Sequence, residues 1–113
     1  LSNYMVSVVD MGLRLLEASG IDKIHSREAV KPLLDATMQN IMSKGTLNAL
    51  TGPVARGDYA TVEKHIHALQ QYQPALAEMY KALGKVTVEI AEQKNTLTPE
   101  QKTRLIQIFE HPL

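Results

Sequence analysis

Cysteine is absent from the 113 residues, which excludes disulfides, cysteine-based zinc sites and thiol catalysis. Net charge is absent as well. Twelve basic and twelve acidic residues cancel, and no segment gathers the basic stripe that binding to a phosphate backbone demands, so nucleic acid is not an expected partner. Long hydrophobic runs are also missing. None approaches the roughly 20 residues needed to span a bilayer. The opening Leu1-Ser2-Asn3-Tyr4 lacks the basic residues and cleavage site of a signal peptide. No membrane association is expected, and the chain reads as cytoplasmic.

What is present is an ordinary globular balance, with 44% apolar and 21% charged residues, which argues against disorder and fibrous structure. Without an internal change of composition, residues 1–113 read as a single domain. The first residue is leucine and helical pattern starts almost at once, so the expectation is a domain separated from something upstream.

Apolar periodicity predicts an all-α fold with five principal helices. The first runs from Tyr4 to Ser19, with Met5, Val8, Val9, Gly12, Leu15 and Leu16 on one face and Gly20 as its stop. Ser26 can cap a second helix that ends near Gly45. Pro32 should kink that helix or push its start later. Thr46 to Asp58 reads as a loop, because two glycines and a proline interrupt any period. Asp58 or Thr61 can cap a third helix carrying Val62, His65, Ile66 and Leu69 on one face. Pro74 opens a fourth, striped by Leu76, Met79, Tyr80, Leu83, Val86 and Ile90. Thr98-Pro99-Glu100-Gln101 combines a cap, a first-turn proline and a capping-box glutamine, giving the strongest helix start in the chain. Leu105, Ile106 and Phe109 supply the buried face of the last helix.

Chemistry concentrates in the loop Ala49-Leu50-Thr51-Gly52-Pro53-Val54-Ala55-Arg56-Gly57-Asp58. Backbone freedom, a fixed cation and a helix start coincide there, which suits a carboxylate or phosphate. The alternative is a plain interhelical connection in which Asp58 caps its helix and Arg56 pairs with a carboxylate. The loop lacks the lysine and glycine spacing of a P-loop. Its Arg56-Gly57-Asp58 tripeptide is too short to carry an adhesion signal in such a chain. His65 and His67 point about 200° apart on a helix, so they cannot chelate one ion together, and no metal site is expected. His65 shares its face with core residues and can be a hydrogen-bonded core or interface histidine, or an acid/base group.

The central loop, followed by Thr61-Val62, His65 and Ala68-Leu69, closely resembles a family of two-domain proteins. In these a Rossmann-like domain precedes a helical domain of unknown function, and the whole is described as an NADP oxidoreductase. The resemblance extends to Ser2-Asn3-Tyr4, to Pro32-Leu33 and to the segment from Tyr80 to Ala91. The helical half is similar to the C-terminal domains of ketopantoate reductase, pyrroline-carboxylate reductase and phosphogluconate dehydrogenase, which commonly build homodimers. The chain departs from a complete member in containing no G-x-G-x-x-G.

The resemblance implies a substrate-side and dimerisation domain for hydride transfer between NADP or NAD and a small polar, carboxylated substrate. It implies that no cofactor binds to this part alone, because the Rossmann half would hold it. It places Ser2 and Asn3 near the reacting centre and has Thr51, Gly52, Pro53, Arg56, Gly57, Asp58 and His65 wall the cleft. In that reading Arg56 holds substrate charge, His65 orients it or shuttles a proton, and Asn3 hydrogen-bonds a reacting atom. Arg56 and His65 should then share a partly open polar pocket. The competing expectation is a self-contained helical module that pairs with itself or a partner and has no catalytic role.

Overall fold

The structure, a computed structural model, describes residues 1–111. It is all-helical, with no strand among the described residues. The elements are α1 (Ser2–Ala18), α2 (Lys23–Ala49), α3 (Pro53–Arg56), α4 (Tyr59–Tyr72), α5 (Pro74–Lys94) and α6 (Pro99–Glu110). α3 is one turn. The other five are the principal helices the periodicity predicts. The chain divides into two compact units, Leu1–Ser43 and Lys44–Leu113, each described here by itself.

In the first unit α1 stops as expected. Gly20 takes a φ of 103°, and the Ile21 N–H reaches back to the Leu16 carbonyl at 3.1 Å, a bond that closes the last turn. α1 buries none of its residues. On its apolar face Met5 and Val8 are exposed and Val9, Leu15 and Leu16 half-buried.

The start of α2 differs from the expectation. Asp22, not Ser26, is the cap, its carboxylate accepting the His25 N–H at 2.9 Å. Ser26 is buried inside the first turn and its hydroxyl donates to the Ile21 carbonyl at 3.3 Å. Aspartate is as good a cap as serine, and here it stands one residue before the helix. Pro32 does not delay the start, since α2 already begins at Lys23 and continues through it. The non-helical residue lies further on, at Gly45 (φ 79°, ψ 171°), a conformation that favours glycine. The expected end near Gly45 is therefore correct, with one further turn beyond it.

The second unit carries the core: Val54, Val62, Ile66, Val88, Leu105 and Phe109, flanked by Tyr59, Tyr80 and Leu97. Phe109 and Leu105 are almost wholly buried, and removing side chains of this size from water stabilises by about 1.5–3 kcal/mol each. The segment read as a loop contains α3, with Pro53 at its first position, where the missing N–H costs nothing. α4 starts behind Asp58. α6 starts behind a complete capping box: Thr98 Oγ1 accepts the Gln101 N–H at 3.1 Å and Gln101 Oε1 accepts the Thr98 N–H at 3.0 Å.

α5 buries an unexpected face. Its buried residues are Leu76, Ala77, Lys81, Gly84, Val88 and Ala91; Ala77, Gly84 and Ala91 are small, and from Ala77 onward the five residues fall at i, i+4, i+7, i+11 and i+14. The larger apolar residues Leu83 and Val86, part of a stripe that suits either core or a subunit interface, are exposed. Small residues let the helices approach closely, and the Phe109 ring lies directly on Gly84.

Candidate functional site

The central loop is held at both ends. Lys94 Nζ of α5 donates to the Leu50 carbonyl at 2.9 Å. At the far end Gly57 is left-handed (φ 71°), and the Asp58 N–H closes α3 by donating to the Pro53 carbonyl at 2.8 Å. A Cβ on Gly57 would come within 2.3 Å of the Gln101 side chain, so the glycine is required by both backbone sign and space. The start of α6 thus rests on the end of α3, and Gly57 is buried beneath it. Thr51 is exposed, while Gly52 and Pro53 are half-buried.

This leaves Arg56 projecting from a fixed turn, its side chain 63% exposed. Its guanidinium stands 3.8 Å from the Asp58 carboxylate, a loose pairing beyond hydrogen-bond length. Asp58 is committed elsewhere. It accepts from the Thr61 hydroxyl at 2.6 Å and from the Thr61 N–H at 3.2 Å. These bonds, helped by the charges of Arg56 and Lys64, hold its carboxyl below the usual carboxylate value. Both features of the plain interhelical connection, Asp58 as cap and Arg56 beside a carboxylate, are present.

His65 is exposed rather than partly buried as the apolar stripe suggests. On a helix it stands about 60° from the line of Val62, Ile66 and Leu69, enough to carry it to the edge of the core. Its Nδ1 shares a 3.0 Å hydrogen bond with the Tyr80 hydroxyl of α5, and the two rings meet edge to face with centroids 5.9 Å apart. Burial raises the Tyr80 phenol above its ordinary pKa, so the hydroxyl stays protonated at neutral pH and donates to or accepts from Nδ1 according to the imidazole tautomer. The pair can orient a polar group or pass a proton. Sequence reasoning missed Tyr80 because an aromatic inside an apolar stripe reads as core.

Ser2 and Asn3 occupy the first turn of α1, in the first unit, both exposed. The Asn3 carbonyl accepts the Ser7 hydroxyl at 3.2 Å, and its side-chain amide faces solvent. In the second unit a cavity of about 470 Å³ opens between α4 and α6, and neither Arg56 nor His65 lines it. It lies on the His67 side of α4, so the polar pocket expected around Arg56 and His65 is not this one. No group of three metal-ligating side chains occurs among the described residues, and no described helix is long and apolar enough to cross a membrane.

Residues 1–87 match the model of a family described as a domain of unknown function, DUF2520. The chain belongs to that family. No curated protein and no solved structure matches it. The DUF2520 match takes in the central loop, His65, Tyr80 and Lys81, whereas α6, with Arg104 and Phe109, lies beyond it.

Proposed function

We propose that this DUF2520 domain is the substrate-side and dimerisation half of an NAD(P)-dependent oxidoreductase acting on a small polar, carboxylated substrate. The observation that carries the reading is the Arg56 turn. A largely exposed guanidinium is held on a braced loop, and the nearby carboxylate is already occupied by Thr61. Such a cation can take a substrate carboxylate in charge-assisted hydrogen bonds without first breaking a strong ion pair. His65, backed by Tyr80, would orient the substrate or move a proton. Thr51, Gly52 and Pro53 would wall the cleft, and Asp58 would keep Arg56 and the start of α4 in place. The cofactor, NADP or NAD, would be bound by a Rossmann-like domain upstream, which would supply the hydride.

Exposed apolar residues on several helices support the dimerisation part: Tyr4, Met5 and Val8 on α1, and Leu83 and Val86 on α5. Apolar faces of this kind fit association better than solvent. They equally favour the second reading, a helical interaction module without catalysis. The two separate in one experiment. Protein encoded with its upstream sequence is screened against small keto and imino acids with NADH and NADPH. Substrate-dependent cofactor oxidation that weakens in Arg56→Ala supports the first reading. Self-association without any turnover supports the second.

A further inference from the structure

The cavity between α4 and α6 has a chemistry of its own, independent of the Arg56 loop and of hydride transfer. Lys81, on the small-residue face of α5, lines it while being only 5% exposed. Its ammonium donates to the backbone carbonyl of His111. That carbonyl is neutral and takes only part of the hydrogen-bonding capacity of a group with three donors. Among the described ion pairs none includes Lys81. A cation withdrawn from water without an opposite charge is costly, and the cost falls when an anion joins it.

The rest of the lining narrows the anion. Arg104 also borders the cavity, but its guanidinium is 3.3 Å from Glu63 and 4.9 Å from the centre of the Tyr59 ring. One cation is therefore largely balanced, and of the lysine and arginine side chains lining the cavity Lys81 is the one outside the described ion pairs. A dianion would bring one charge too many beside the Glu63 carboxylate. Ile66 and Ile108 line the same space and suit an apolar body. A volume of about 470 Å³ is within the range of small-molecule sites.

We propose that this cavity binds a small monocarboxylate, its carboxylate on Lys81 and its short hydrocarbon body against Ile66 and Ile108. The test is a titration of the 113-residue chain, followed by backbone amide NMR, with butyrate, its neutral isostere butyramide, and inorganic phosphate. Butyrate should give saturable shifts confined to α4, α6 and the neighbourhood of Lys81. Butyramide loses the charge-assisted bond and phosphate the apolar contact, so each should bind weaker by roughly tenfold or more. Lys81→Met should abolish the butyrate response. Should that variant not fold, His67→Glu serves in its place, because His67 is an exposed residue lining the cavity and the new carboxylate should weaken butyrate while leaving the helical spectrum unchanged. Shifts that map elsewhere, butyramide or phosphate binding as tightly as butyrate, or full butyrate affinity in either folded variant would overturn the proposal.

Discussion

Replacing Gly84 by alanine sets two known effects against each other, and the structure decides between them. In an exposed helix the change stabilises by about 0.8–1 kcal/mol, because alanine restricts the unfolded chain and suits the helix. At Gly84 the new Cβ would fall 2.4 Å from two carbons of the Phe109 ring and 2.8 Å from a third. Real contacts of this kind do not occur at such distances, so the ring must move. Phe109 is only 1% exposed and packs among Val62, Val88 and Leu105, which leaves it little room. Overpacking of a filled core costs typically about 1–3 kcal/mol. The net expectation is destabilisation by about 1 kcal/mol, or a melting temperature lower by roughly 4–8 °C if the unit unfolds as a domain of 60–100 residues.

Gly12 provides the control. It lies within α1, and an added Cβ there meets nothing within 4 Å, so Gly12→Ala should stabilise. The assay is urea and thermal unfolding followed by circular dichroism, with Phe109→Leu added as a third variant. Leucine leaves space over residue 84, so Gly84→Ala should cost less in the Phe109→Leu background than alone. A stabilising Gly84→Ala, or a cost unchanged by Phe109→Leu, would refute the packing of α5 on α6 described above.

Other expectations follow from the loop and its caps. Gly57→Ala should destabilise by about 1–2 kcal/mol from the left-handed backbone alone, with more from the collision with Gln101, as urea unfolding would show. Thr98→Ala removes one half of the capping box and should cost about 1 kcal/mol in the same assay. Asp58 titrates below its ordinary value because of Thr61 and the nearby cations. Its contribution to stability is therefore full above the unfolded carboxyl pKa and is lost as pH falls through the lower folded value. Acid unfolding of Asp58→Asn should be less steep across that window. In the proposed two-domain oxidoreductase, Tyr80→Phe should lower turnover and alter its pH profile by taking away the hydroxyl partner of His65, whereas an unaltered profile would leave that pair a structural contact.

Local signals in the sequence survived into the structure. The Thr98 capping box, the Asp58 cap, the opening of α5 at Pro74 and the stop at Gly20 each depend on a few neighbouring residues whose hydrogen bonds are the same in any fold. The buried face of α5 was not legible in this way. Ala77, Lys81, Gly84 and Ala91 carry little or no hydrophobic signal, and their burial comes from contacts across helices, as of the Phe109 ring on Gly84. The conspicuous stripe of Leu83 and Val86 consequently faces outward. Ser26 misled because it is a good cap in isolation, while Asp22 four residues earlier is an equally good one. Of the site, the Asp58 cap and the Arg56–Asp58 relation were readable, while the helical turn α3 inside the segment was not. Tyr80 and Lys81 were not, since each acquires its role from contacts across helices. A lysine in register with small residues at i−4, i+3 and i+10, here Ala77, Gly84 and Ala91, is the signal that could have marked Lys81.

The central claim is that Arg56 receives the carboxylate of a substrate reduced or oxidised with a nicotinamide cofactor. Its most direct test compares steady-state kinetics of the proposed two-domain protein and its Arg56→Ala variant on the best keto or imino acid from the screen. Loss of one charge-assisted contact, about 1.5–3 kcal/mol, predicts a KM higher by at least roughly tenfold, with the helical spectrum unchanged. An unchanged KM and kcat in a folded Arg56→Ala variant would contradict the claim.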